Sequence, residues 1–586
     1  MLDSRVRASA RGTDEALPQP ADEAALTAWL QALPSNDASR SGRAILEILQ
    51  ACRCGPDRGA CDFPLLEKLH ARLLEFSQPL EATFIDSSFP FGEEQLGNVN
   101  LLLSCLRELA ENYLQQLDYY MHRQLKLKQE QQALFLYRAL QAMGQILLYS
   151  SEAYLSPAAG FWVTCYRILH LSEQMQLARI PIADEEDNRQ SINKLYRKIL
   201  LFSLCNSSQF RPREMQKIYL SLDRFIDGVE VSSDHSPESM KGLYVFNLRQ
   251  DSPPSRCSDN SSDVHTNEVH SLRYFNVLPA ARNMHQALQQ QEFGTGYLKS
   301  INRALFSRVI KTLSQVKSRK FTRLRENRNI NGIIGFDNVL NYLRNSQGFA
   351  LEDSNDHAVK TYDPRISGQW GTLDVDLVPM DNEVLYQQPK MKIHGGRSGI
   401  AGKTRQIFDA TPAFVPGQNT GIWDQSENSG ADPGNAVFFD DFAVQDSCIM
   451  GYSVVCDASN VKVRIGDIIG FLSADVDRVE IGLIRRIGTG CKEGQVQLGV
   501  ELIAMEARLV YLTGSVGNKG LWAMLLPGMK ALHTKDCVVF NTCEYRPGDN
   551  ITLQREDGKI KCRLGKLINA TASVNQITLL YESGSE

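Results

Sequence analysis

The sequence predicts an α+β protein: an N-terminal all-helical domain, then an antiparallel β barrel with a long insertion, then a C-terminal β extension. Three observations predict it. Between Ala24 and Phe225 apolar residues recur three and four apart, most plainly over Leu101–Leu117, Leu134–Leu155 and Ser191–Leu204, the spacing of a buried helix face. Between Phe438 and Ile503 short strand-like runs are separated by turn signals, the spacing of a small barrel. Residues 350–438 are rich in Gly, Asn, Asp, Ser and Pro without sustained periodicity, so they read as an excursion from the barrel.

A chain of 586 residues with net charge −5 exceeds a single core and divides into several domains. No apolar run approaches the roughly 20 residues that cross a bilayer, and MLDSRVRASARG lacks the apolar segment of a secretory signal. The expectation is a cytoplasmic protein with no membrane insertion. Thirteen cysteines without a secretory signal read as reduced thiols.

In order, residues 1–23 are a polar, Pro/Ala-rich tail. Residues 24–225 form the helical domain, broken at FPFGE, SPAAG and FRPRE, the joints between packed antiparallel helices. Asp184 to Asp187 precede a helix and complement its N-terminal dipole. Cys52, Cys54 and Cys61 enclose a Gly/Pro loop, but a structural zinc site takes four ligands and His70 would have to complete it from within a helix, so these read as free thiols. Residues 226–316 mix linker and helices, with a strand over Lys241–Arg249 and helices over Arg273–Gln291 and Gly296–Val316. The barrel takes 317–345 plus 439–511. Its first strand is expected over Gly332–Leu343, the others over Phe438–Val444, Tyr452–Val455, Val461–Leu472, Val479–Ile487 and Gln495–Ile503, with Glu480–Ile487 alternating less cleanly than its neighbours. The insertion is 346–438, and 512–586 forms a further β module.

Function enters through two motifs. From Lys299 to Arg328 ten basic residues stand against one acid, Glu326. Such a run is a solvated helix face leading into a linker, or a surface that attracts phosphate or nucleic acid. At its end Arg319 and Arg323 are spaced RxxxR, with Arg325 two residues further. Paired guanidinium forks meet phosphate oxygens bidentately and reach a guanine O6/N7 edge. Residues 446–451 read DSCIMG, which sets Asp446, Cys448 and Gly451 in the spacing Asp/Asn-x-Ser-x-x-Gly. Taken alone, that is also the composition of an ordinary Asx-type turn between strands.

Together, RxxxR before a first strand and DxSxxG between later strands resemble the PilZ domain, a bacterial receptor for cyclic di-GMP. Cys448 departs from it, standing where that family has Ser. VRIGDIIGF, EIGLIRRIG and QLGVELI are similar to its barrel strands. LYRALQAMGQILLYSSEAYLSPAAGFW, SINKLYRKILLFSLCNSSQF and GLYVFNLRQDSPP resemble the helical region of large proteobacterial proteins that end in a PilZ domain. The resemblance implies that Arg319 and Arg323 contact phosphate and a guanine edge, with Arg325 able to replace Arg323 in register. Asp446 would accept from the guanine N1–H and N2–H₂ edge, Gly451 would permit a tight turn, and Cys448 would offer a weaker donor than Ser.

The function so implied is a non-enzymatic receptor for cyclic di-GMP, without a cofactor or metal, that engages a protein effector through its helical region in control of motility, pili or biofilm. DNA and RNA are not expected partners. A scaffold whose barrel is ligand-blind is the alternative. An NTP-using enzyme would rest on HGGRSGIAGKT, but Arg397 stands where the first glycine of a P-loop belongs before Gly402-Lys403-Thr404. Glu15-Ala16-Leu17 matches the name of a phosphodiesterase family but lacks the acidic metal ligands that chemistry requires.

Overall fold

The computed structural model describes residues 23–52 apart from 35, then 63–183, 189–233, 242–257, 271–290, 297–314, 322–347 and 440–581, the last with gaps at 460, 473–477, 491–493, 515–519, 529–533, 542–544 and 572. The N-terminal tail, Cys54, Cys61, Asp184 to Asp187, Arg319 and the insertion from 348 onward, Gly402-Lys403-Thr404 included, lie outside the described residues.

The helical domain runs α1 (Glu23–Ala32), α2 (Ala38–Ala51), α3 (Phe63–Ala82), α4 (Glu93–His122), α5 (Gln129–Glu152), α6 (Phe161–Gln174), α7 (Ile192–Ser203) and α8 (Pro212–Ser221). FPFGE separates α3 from α4, SPAAG separates α5 from α6, and FRPRE opens α8. Capping chemistry sets the starts. The Asp37 carboxylate accepts from Arg40 N at 2.9 Å and the Ser191 hydroxyl from Lys194 N at 3.2 Å. At α8, Pro212 stands in the first turn and Glu214 accepts from Arg211 N at 2.9 Å. His70 is buried in α3, its Nδ1 3.1 Å from the Tyr113 hydroxyl.

A two-strand ribbon, β1 (Ile182–Ala183) with β2 (Arg189–Gln190), interrupts the helices. Beyond them β3 (Val231–Ser232), β4 (Leu243–Asn247), β5 (Ser255–Arg256) and β6 (Leu272–Asn276) form a sheet in the order β3-β6-β4-β5. The helix expected from Arg273 therefore begins at Leu278, as α9 (Leu278–Gln289), because Arg273 belongs to a strand paired with β4. The helix α10 (Tyr297–Ser314) follows.

The first barrel is closed in the order β10-β11-β12-β9-β8-β7. Its strands are β7 (Leu324–Ile334), β8 (Asp440–Cys448), β9 (Gly451–Asp457), β10 (Ile468–Leu472), β11 (Val479–Thr489) and β12 (Gln495–Ala504). Two expectations are corrected here. The first strand starts at Leu324, eight residues before Gly332, because its leading half is exposed and shows no apolar alternation. The apolar residues after Ile334 form α11 (Phe336–Gln347), with Phe336, Val339, Leu340 and Leu343 buried at helical spacing. Likewise only Ile468–Leu472 of the Val461–Leu472 run is a strand, although Val461, Val463 and Ile465 enter the barrel core.

The second barrel is closed in the order β13-β14-β15-β18-β17-β16, from β13 (Arg508–Gly514), β14 (Leu521–Leu526), β15 (Cys537–Phe540), β16 (Asn550–Arg555), β17 (Gly558–Ala570) and β18 (Asn575–Tyr581). The boundary expected after 511 falls inside β13, which pairs with β14 and β16 and not with the first barrel.

The segment between β9 and β10 joins all three bodies. Val463 exchanges backbone hydrogen bonds with Phe89 of the helical domain at 2.9 and 2.7 Å, and Phe89 and Tyr154 pack against the first barrel's core. Arg211 donates to the Ile465 carbonyl at 2.8 Å and to Ser573 of the second barrel at 3.2 Å. Ser573 in turn donates to Asp467 at 2.6 Å, and Thr571 donates to the Gly466 carbonyl at 3.0 Å.

Two carboxyls are buried where α3, α5 and α8 meet. Glu81 accepts from Gln216 Nε2 at 2.6 Å, while neither oxygen of Glu152 has a hydrogen-bond partner among the described residues. Burial pushes Glu81 up to about 7 from its ordinary 4.5, against the pull of Arg213, and raises Glu152 well above the carboxylate range. The folded state thus holds a proton that the unfolded chain releases, so this stability is complete below pH 4.5 and is lost as pH rises to about 7. Thermal denaturation between pH 4.5 and 8 should show a shallower fall for Glu81→Gln than for the wild type.

Candidate functional site

The pairing of β7 with β8 sets Arg325 opposite Asp446 and Leu324 opposite Ser447. The chain then turns through Ile449 and Met450, with Cys448 opposite Gly451, so DSCIMG is the tip of the β8–β9 hairpin. By strict alternation Asp446 would follow Phe442 and Val444 into the core. A bulge prevents this: Val444 pairs with Val454, but Asp446 pairs with Ser453, the residue before it. The extra residue, Gln445, turns Asp446 onto the outer face, where a carboxylate escapes the cost of burial.

There Arg323 Nη1 donates to Asp446 Oδ1 at 2.7 Å. The two side chains are 44% and 30% exposed, and such surface pairs are worth about 0–1 kcal/mol. A ligand that offers phosphate to the arginine and an N–H edge to the carboxylate exchanges the pair at little cost. Arg325 is exposed and has no ion pair among the described residues. Cys448, a half-buried free thiol, lies two residues along the same strand face as Asp446.

The single acid of the basic run points elsewhere. Glu326 accepts from the Ser447 hydroxyl and from Arg328 Nε at 2.7 Å, and these two donors hold its carboxyl below the usual range. The Arg328 guanidinium lies 5.7 Å from the centroid of the Tyr452 ring, whose hydroxyl donates to Glu480 at 2.7 Å. Burial, with Glu480 adding to it, pushes Tyr452 up to about 12. Glu326 is thereby satisfied locally, which leaves Asp446 as the acid that faces Arg323 and Arg325.

Gly451 has φ +152°, and a Cβ placed on it would lie 2.0 Å from the Val500 carbonyl oxygen of β12. The hairpin thus packs directly on the neighbouring backbone, a close approach that glycine permits. The structure brings Arg323, Arg325, Asp446, Cys448 and Gly451 to one end of the barrel, whereas Arg319 falls outside the described residues. Sequence reasoning missed the floor beside them. Asp446 pairs with Ser453, and Ser453 with Gly499, both on the outer face between inward Val454, Leu498 and Val500, with Ser453 buried there and its hydroxyl accepting from Gln497 Nε2 at 3.2 Å. That alternation was the available signal. No group of His, Cys, Asp and Glu among the described residues is arranged to hold a metal ion. Guanidiniums and a carboxylate around a floor of small side chains suit a planar, polar anion.

Residues 24–237 match the family described as the cyclic-di-GMP receptor FimW, N-terminal domain, and residues 506–580 match the FimW C-terminal β-barrel domain. The first match covers α1 to α8, and the second follows the strands of the second barrel. No curated protein and no solved structure matches the chain. With the helical domain at one end and the β barrel at the other, in that order, the chain is similar at both ends to the family of the cyclic-di-GMP receptor FimW.

Proposed function

We propose that this chain is a non-enzymatic receptor that binds cyclic di-GMP on the outer face of the first barrel, a PilZ-type site. The observation that carries the reading is the meeting of Arg323 and Arg325 with Asp446, which is more than 100 positions away in sequence. Arg323, released from Asp446, contacts a phosphate; Arg319, four residues upstream, supplies a second fork, and Arg325 stands in register to assist. Asp446 accepts from the guanine N1–H and N2–H₂ edge. Ligand contact at Arg323 and Asp446 acts on β8 and β9, and β9 runs into the segment that ties the barrel to the helical domain through Val463 and Arg211. The helical domain presents the effector surface, in control of motility, pili or biofilm. The protein acts in the cytoplasm; no helix among the described residues is long and apolar enough to cross a membrane.

Titration calorimetry of the full chain with cyclic di-GMP tests the reading, with micromolar or tighter binding expected. Cys448→Ser should bind more tightly, by up to about tenfold, because a hydroxyl replaces a weak donor and one neutral hydrogen bond is worth about 0.5–1.5 kcal/mol. The second reading, a ligand-blind scaffold, draws on Cys448 and on the occupation of Asp446 by Arg323. It requires that neither protein give heat with the ligand.

A further inference from the structure

We infer that Arg486 of β11 is a further ligand contact of this face, reaching it across Gly499; the inference rests on the cyclic di-GMP reading above. Three observations carry it. The first is register: Arg325, Asp446, Ser453, Gly499 and Arg486 are successive partners across β7, β8, β9, β12 and β11. The second is a bulge that repeats the device at Asp446. Ile484 faces the core opposite Val500, so Arg486 would face inward too, but it pairs with Gly499 because Arg485 is the extra residue. The barrel thus turns a carboxylate and a guanidinium outward onto the same cross-strand row.

The third observation is the course of the side chain. A Cβ on Gly499 would meet Arg486 Cβ at 2.9 Å, Cδ at 3.5 Å and Cγ at 3.7 Å, so the arginine stem lies over the glycine. A larger residue at 499 would push it away. The neighbouring arginine is already used: Arg485 donates to Glu501 at 2.6 Å and to Asn569 of the second barrel at 2.7 Å. Arg486 is exposed and has no ion pair among the described residues. A guanidinium carried over Gly499 can stack on a purine face or meet a phosphate oxygen, on the same cross-strand row as Asp446 and Arg325.

The test is calorimetric titration of the full chain with cyclic di-GMP for the wild type, Arg486→Ala, Arg486→Lys and Arg323→Ala, with melting temperatures measured alongside. Arg486→Ala should weaken binding roughly 10- to 100-fold without shifting the melting temperature, since the side chain is exposed. Arg486→Lys, which keeps the charge but not the planar fork, should recover only part of the loss. Wild-type affinity in Arg486→Ala, beside a loss in Arg323→Ala, overturns the inference and leaves the receptor reading standing. Absence of binding by the wild type overturns both.

Discussion

The double substitution Arg323→Ala/Arg325→Ala is expected to weaken cyclic di-GMP binding by roughly 100-fold or more while leaving the melting temperature within about a degree of the wild type. Each lost guanidinium removes charge-assisted hydrogen bonds of about 1.5–3 kcal/mol, and two such losses at one ligand exceed 100-fold. The fold should not register them. Arg323 and Arg325 are exposed, and removal of Arg323 leaves Asp446 a solvated carboxylate. Binding should also weaken as salt rises in the wild type and less so in the mutant, because the arm contributes its charge to the attraction. Affinity in the double mutant within about threefold of wild type would remove the arm from the site.

Gly451→Ala should lower the stability of the first barrel by roughly 3 kcal/mol or more. Two physical terms act together. The backbone sits at φ +152°, where L side chains are rare, and the obstacle 2.0 Å from the new carbon is a main-chain oxygen of Val500. A side chain would move aside; a backbone carbonyl between Gly499 and Glu501, both paired with β9, cannot without opening the β9–β12 ladder. Chemical denaturation should show the loss, and ligand binding should fall with it, because Gly451 closes the β8–β9 hairpin that carries Asp446. Gly488→Ala is the control. It has nothing within 4 Å of the added carbon and should change stability by less than about 0.5 kcal/mol. A loss below 1 kcal/mol at Gly451 would mean that the hairpin does not press on β12.

The sequence by itself determined the elements that bury one continuous face. Helical spacing from Ala24 to Phe225 announced the helices, and alternation after Phe438 announced an antiparallel barrel, because burial against a local neighbour leaves its period in the chain. Motif spacing singled out Arg323, Asp446 and Gly451 as candidates. It did not reveal what holds them. The leading half of β7 is polar on both sides, so a strand was invisible there until β8, beyond the insertion, supplied its hydrogen bonds. The uneven alternation of Glu480–Ile487 is visible in the sequence, but its meaning, a bulge that turns Arg486 outward, depends on pairing with β12.

Only the tertiary structure decided which faces these residues occupy and what they touch. A one-residue shift in register reverses every later side chain in a strand, and register is set by partner strands that the local sequence does not contain. The bulge at Gln445 put Asp446 outside the barrel, Gly499 let Arg486 lie along the row, and Val463 and Arg211 joined the barrel to the helical domain across more than 250 residues of chain. The chain's periodicities specify which segments fold; long-range pairing specifies where their charges point.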